Sequence, residues 1–406
     1  MLGTLLGNDV SLGPLKQLIA GKTEGNPLFM EEIVLSLFED GTLARNGGVK
    51  LAKPLASLRI PPTVQGIIAS RIDRLPADEK DLLQTVAVIG TEFNLGVTRV
   101  VCGISDDDGL NRILNDLQLA EFIYERPGAS DIEYNFKHAL THDVAYNSLL
   151  TERRKLLHER TGYALEGHHS EQLDNYLPEL AHHFDRGGNL SKAVEYLSRA
   201  GFRAAQQVAN SEAMGYFTRS LKMLPGLPEG LARDRQELEI QMALSWSAFV
   251  AIGPRAAERE SALLRARALC DQLGENSKLI ETLVALAHLR VGKGDFRLAG
   301  EMAESVLEMA QRADDPAMMA GAHYVSGIAL VATGHFPEAR QHFERAAVFF
   351  GAGNKSNLVA YFSQVGPPLL DAVLSIVGYP STSTERNRKR LKRAAAQIPS
   401  ISRTFL

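Results

Sequence analysis

Two stretches, GKGDF at 292–296 and ATGHF at 332–336, repeat the same turn chemistry at a spacing of 40 residues. Ala299 and Ala339 follow at matching distances, and LGEN at 273–276 lines up with ADDP at 313–316. A period of this length, with helix formers between the turns, fits a pair of helices. One such pair cannot bury its apolar face alone, so neighbouring pairs must stack. The spacing therefore predicts an array of helical hairpins. Composition agrees: Leu, Ala, Glu and Arg are frequent, while aromatic residues make up only 7% and include a single Trp.

The array reads from about residue 173 to 350. In LPELAHHFDRGGNLSKAVEYLSRAGFRA, Leu180, Ala181 and Phe184 fall on a first helix. Gly187-Gly188-Asn189 make the turn, and Ala193, Leu197 and Ala200 fall on a second helix. NSEAMGYFTRSLKMLP repeats the second-helix pattern with Ala213, Phe217, Ser220 and Pro225. Small residues let helices approach and the aromatic ring fills the gap, which is the tetratricopeptide pattern. His182 and His183 read as ordinary surface or packing residues. Such an array offers a concave surface for a protein or peptide; a plain spacer scaffold fits the sequence equally well. Beyond residue 351 the pattern fades into a degenerate last repeat. Six of the eight residues from Arg386 to Arg393 are basic. That run suits an acidic partner or nucleic acid, or simply the solvated face of a terminal helix.

The chain has 406 residues and a formal net charge of -4, which gives no general bias toward nucleic acid or membrane. Its two cysteines, Cys102 and Cys270, are too few and too distant for a disulfide framework and suit a reducing cytoplasm. The first residues lack a basic stretch and a cleavage-like site, and no apolar run is long enough for a membrane helix. A cytoplasmic location without membrane contact is expected.

Near the start, GKTEGNPLF at 21–29 carries the end of a phosphate-binding loop, Gly21-Lys22-Thr23. The full pattern needs a first glycine five residues before Gly21, where Lys16 stands, and a strand before it. Upstream residues read instead as a helix opened by Pro14, with Gly21 as its C-cap. Gly25 and Pro27 then break the chain. Glu31 and Glu32 favour the start of an amphipathic helix carrying Ile33, Val34, Leu37 and Phe38, and Gly41 ends it.

LRIPPTVQGIIASRIDRLP and DEKDLLQTVAVIG read as two helices, and NLGVTRVVCG and DDDGLNRILNDLQ as two shorter ones. FIYE and IEYNF flank a Pro-Gly-Ala-Ser-Asp turn and read as a β-hairpin. Helices followed by a terminal hairpin make a winged-helix pattern. Its candidate recognition helix, DDDGLNRILNDLQLAE, sets five acidic residues against Arg112, so DNA binding is not expected. His138 and His142 lie four apart, as a zinc pair would, but Ala139 stands where a metalloprotease has Glu and no third ligand follows. No metal is expected.

GNPLF followed by an acidic pair and an apolar helix resembles the end of the nucleotide-binding domain in signal-transduction ATPases of the STAND group. It is especially similar to bacterial multidomain proteins that join an adenylate or guanylate cyclase, an AAA-type ATPase and tetratricopeptide repeats. The order from IPPTVQGIIASRIDRLP to FKHALTHDVAYNSLL is similar too. The resemblance implies that Gly25-Asn26-Pro27 lie near a bound adenine, with Pro27 the contact. It also implies that His138 matches a phosphate-sensing histidine, although Lys137 and Ala139 replace the Met and Asp of that motif.

The family's P-loop and Walker B strand lie upstream of this motif, so the chain is expected to be a C-terminal part without its phosphate site. The fold implied is mainly α: residues 1–58 the end of an NTPase lid region, 59–172 a winged helix with a small β-hairpin, 173–350 a tetratricopeptide-like α-solenoid, and 351–406 a degenerate repeat. The function implied is regulatory and non-enzymatic. No cofactor is expected for this chain, whereas the intact family uses ATP or ADP. A winged-helix DNA-binding regulator and a pure repeat adaptor are the competing readings.

Overall fold

The computed structural model describes residues 1–349 apart from 8, 46–47, 56–57, 59, 105, 128–131 and 315. The predicted terminal repeat with its basic helix, and the tip of the predicted hairpin, lie outside the described residues. Contacts divide the chain into two compact units, Met1–Asn189 and Leu190 onward.

The first unit opens with α1 (Leu2–Leu6), α2 (Gly13–Thr23) and α3 (Pro27–Glu39). Gly21 lies inside α2 and does not cap it, because the helix runs on through Thr23, whose hydroxyl donates to the Ile19 carbonyl at 2.8 Å. The reversal falls at Glu24 and Gly25, both with positive φ (51° and 85°). Asn26 then caps α3, its Oδ1 accepting from the Phe29 N–H at 3.1 Å, and Pro27 occupies the first turn where its missing N–H costs nothing. A small antiparallel ribbon follows, β1 (Leu43–Arg45) with β2 (Val49–Leu51).

Next come α4 (Val64–Arg74), α5 (Ala77–Ile89), β3 (Glu92–Asn94), α6 (Leu95–Cys102) and α7 (Asp107–Leu119). The predicted hairpin forms as β4 (Ile123–Pro127) and β5 (Ile132–Phe136), and β3 pairs with the other edge of β5 to give the order β3-β5-β4. Adjacent residues of α4 face two cores. Ile67 joins Leu15, Ile19, Ile33 and Leu37, while Ile68 joins Leu83, Val86, Leu114, Phe122 and Phe136. Then α8 (Ala139–Asn147), α9 (Thr151–His168) and α10 (Leu177–Gly187) close the unit. Polar contacts tie these three together: Tyr146 Oη lies 2.9 Å from His158 Nε2, and His158 Nδ1 lies 3.1 Å from His183 Nδ1.

The second unit contains α11 (Leu190–Gln206), α12 (Asn210–Met223), α13 (Leu231–Ala251), α14 (Ala257–Leu273), α15 (Asn276–Lys293), α16 (Phe296–Arg312), α17 (Pro316–Ala332) and α18 (Phe336–Phe349). Each of these helices packs on the next, and α15 also meets α17, which is the stacking of a tetratricopeptide-like solenoid. The 40-residue period falls on Gly294 and Gly334, whose left-handed φ of 83° and 84° ends α15 and α17 alike.

The pairing departs from the sequence reading in one respect. We expected α10 and α11 as partners within one repeat; instead α10 packs on α9, and α11 packs on α12. The reason lies in glycines facing the aromatic rings. A Cβ on Gly162 of α9 would sit 2.8 Å from the Phe184 ring, and one on Gly201 of α11 would sit 2.6 Å from the Phe217 ring. Gly327 of α17 meets Phe343 of α18 in the same way at 2.8 Å. Each Phe needs a bare backbone on the preceding helix, so the glycine selects its partner.

Candidate functional site

Two places gather the side chains that could act, one in each unit. In the first unit, α3 begins at Pro27 and has no acid in its first turn, so the acidic pair after GNPLF, expected to favour the helix start, lies in the second turn and serves instead in ion pairing. Glu32 is 1% exposed and accepts from Arg71 Nη1 at 2.6 Å. Arg71 is 2% exposed; its Nε donates to Glu39 at 2.7 Å, its Nη2 donates to the Ala120 carbonyl at 2.7 Å, and its guanidinium lies 4.6 Å from the Phe122 ring centre. Burial alone would pull the Arg71 pKa down, but Glu39 and Glu32 outweigh it and raise it. Glu31 accepts from Lys137 Nζ at 2.8 Å, and the same ammonium reaches Glu121. Thus α3 is pinned to α4, to the end of α7 and to the end of β5.

This network brings the α3 start and the residue before His138 together, since Glu31 is one helical turn beyond Pro27. His138 occupies the N-cap position of α8 without a side-chain capping bond, and its Nε2 is buried without a hydrogen-bond partner among the described residues. Gly25 forms the bend before α3, Asn26 spends its side chain on the cap, and Pro27 lies on the first turn. His142 does not turn toward His138: its Nδ1 lies 3.1 Å from Asp143, and its ring meets the edge of Phe136. Among the described residues no three His, Cys, Asp or Glu side chains are grouped to hold a metal. On α7, Leu110, Ile113, Leu114 and Leu117 are buried, and Arg112 pairs with Asp78 at 3.6 Å.

In the second unit a groove of about 280 Å³ opens along α13 and α15. Met242, Trp246 and Phe249 of α13 line it, with Lys278, Glu281 and Thr282 of α15 and Phe202 of α11. Arg259 of α14 also lines it; this side chain is 2% exposed, lies 4.6 Å from the Phe249 ring centre, and donates to the Pro254 and Ala285 carbonyls at 3.2 and 3.3 Å. Its Nη2 lies 3.2 Å from His288 Nδ1, and burial together with this cation pushes the His288 pKa down to about 3. Lys278 pairs with Glu239 at 3.3 Å on the rim. An aromatic floor under a polar rim holds an apolar side chain and orients its backbone.

The repeat residues Ala181, Phe184, Ala193, Ala200, Ala213, Phe217, Ala299 and Ala339 are all buried between helices. His183 is buried as well, whereas His182 is exposed. The sequence reading missed the groove residues. Met242, Ala243, Trp246 and Phe249 follow helical spacing, but the same spacing marks core, so only packing separates the two.

No known protein-family profile matches the chain. An uncharacterised protein of Rhizobium meliloti (strain 1021) is 24% identical over 233 residues, which is 57% of this chain and 21% of that protein. The chain thus spans about a fifth of the length of this curated relative. Among solved structures, NprR in complex with its cognate peptide NprX gives a TM-score of 0.41 at 12% identity, covering 81% of this chain and 78% of that one. The STAND protein PH0952 of Pyrococcus horikoshii, with a tetratricopeptide repeat sensor, gives 0.38 at 10% identity, covering 96% and 64%. The apo form of RapI gives 0.40 at 12%, covering 74% and 76%.

Proposed function

We propose that this chain is a regulatory, non-enzymatic protein whose helical repeats bind a protein or peptide. The observation that carries this reading is the groove along α13 and α15. There the single Trp of the chain, partly buried, lines a concavity with Phe202 and Phe249 beneath a charged rim. Large aromatic side chains in a concave site supply most of the binding energy when a partner side chain covers them.

The finer reading places the chain in a signalling assembly of the STAND ATPase type, linked to an adenylate or guanylate cyclase. It rests on the motif order in the sequence. The buried His138 Nε2 and the tie from Lys137 to the start of α3 suit residues Gly25, Asn26, Pro27 and His138 as remnants of a nucleotide contact. The region from α4 to β5 is read as the winged helix that relays the signal. Its acidic α7, whose Arg112 is engaged by Asp78, does not suit a DNA groove.

The test is a random-peptide display selection on the full chain, followed by isothermal titration calorimetry of each selected peptide. Trp246 is the only indole of the chain, so in wild type and Phe202→Ala a bound peptide also shifts its emission. Substituting Trp246→Ala or Phe202→Ala should each weaken binding by about tenfold or more. Selected peptides that bind wild type and both variants equally would remove the groove as the site.

A further inference from the structure

One residue of the second unit departs from the pattern of its own repeats, and it lies in the wall of the groove. Gly201 meets the Phe217 ring and Gly327 meets the Phe343 ring, each pair 16 residues apart in sequence. At the same spacing, Ser247 with Leu263 and Ala287 with Ala303 put the two intervening hairpins in register, and all four are buried. Four residues before the second member of these pairs stand Ala213, Ala299 and Ala339, each buried. In α14 that position is Arg259, 2% exposed.

A methyl group there lets the first helices of neighbouring hairpins approach. With Ala299 between them, α15 packs along α17, whereas the backbones of α13 and α15 scarcely meet. Arg259 fills that gap. Its guanidinium lies 4.6 Å from the Phe249 ring centre on α13 and donates to the Ala285 carbonyl on α15 at 3.3 Å. Phe249 in turn lies 5.6 Å from the Trp246 ring. The link between α13 and α14 braces the same place. Its Pro254 carbonyl accepts from Arg259 at 3.2 Å, its Arg255 donates to the Gly292 carbonyl of α15, and a Cβ on Gly292 would sit 2.9 Å from Pro254. A buried cation in the first turn of a helix loses its water and opposes the helix dipole. Such a departure from local preference is expected where a residue serves function.

We propose that Arg259 is a positioning residue, a wedge whose bulk holds α13 away from α15 and keeps open the groove that receives the partner. For its ligand this rests on the peptide-groove reading; the wedge itself can be tested without one.

The test is Trp246 emission in the free full chain with Arg259 replaced by Met, Val and Ala in turn. Trp246 is the single indole and is partly buried in the groove wall, so closing the gap takes water from it. Emission should stay near wild type in Arg259→Met, which keeps a long stem, and shift to the blue in Arg259→Val and further in Arg259→Ala. Destabilisation alone would shift it to the red. The Val variant carries the test should the Ala variant not fold. Calorimetry with the display-selected peptides should give affinities within about threefold of wild type for Arg259→Met and at least about tenfold weaker for Arg259→Ala. An unshifted or red-shifted Arg259→Ala, or an equal blue shift in Arg259→Met, would overturn the wedge. So would full affinity in a blue-shifted Arg259→Ala for peptides that still require Trp246. Peptides that bind Trp246→Ala as well as wild type would instead remove the groove reading and leave the emission series to decide the wedge.

Discussion

Arg71 shows how far a residue's role can lie from its own stretch of sequence. Glu31 and Glu32 were legible as acids of a helix, though they fall in its second turn and not at its start, and their partners Lys137 and Arg71 lie 106 and 39 residues away in the chain. Neither partner follows from local pattern. A buried pair loses most when one member goes, because the other is left as a lone charge in a dry site. Arg71→Met should therefore cost about 3–5 kcal/mol in urea unfolding of the first unit. Adding Glu32→Gln to that variant should restore part of the loss. A similar cost in Lys80→Met, whose partner Asp73 is well exposed, would contradict the burial argument. Glycines make a second case at this scale. Phe184 and Phe217 were legible, while the glycines beneath them, Gly162 and Gly201, were not. Gly201→Ala brings a methyl against the Phe217 ring and should cost about 1–3 kcal/mol by chemical denaturation. Gly215→Ala, inside α12 with open space around its Cα, should instead be neutral or stabilising by up to about 1 kcal/mol.

At the scale of elements, α8, α9 and α10 are joined by Tyr146, His158 and His183. His158 and His183 are 2% and 5% exposed, and burial first, then neighbouring cationic or imidazole groups, push both pKa values down to about 3. The folded state thus keeps both rings neutral, whereas the unfolded chain takes up protons below its ordinary pKa of about 6.5. Stability from this pair is complete above about pH 6.5 and is lost as pH falls toward 3, at about 1.4 kcal/mol per pH unit for each proton. The melting temperature of residues 1–189 within the full chain should fall through that window. His158→Gln with His183→Asn should flatten the decline, while lowering the midpoint at pH 8. An acid limb as steep in the double variant as in wild type would mean other groups drive it. Periodicity revealed α10 as a helix, and His183 within it. It did not reveal that the ring turns inward toward α9, because a face is chosen by the neighbour that packs against it.

For the whole molecule, the absence of a P-loop pattern from the sequence and the helical state of Gly21-Lys22-Thr23 in the fold lead to one expectation. A helix's last turn has its N–H groups bonded within the helix, so it cannot wrap a phosphate as a glycine-rich loop does. Calorimetry should detect no micromolar ATP affinity in this chain, and a phosphate-release assay no ATP turnover. The 40-residue period, the small residues and the hairpin arms were each written locally, since a turn or a helix face needs only its own residues and their spacing. They specified a mainly helical chain with stacked hairpins. Which helices became partners, which carboxylates met Arg71 and Lys137, and which aromatic residues were left along a groove depended on residues brought together from far apart. Those choices were made by burial, charge pairing and close packing, which act only once the chain is folded.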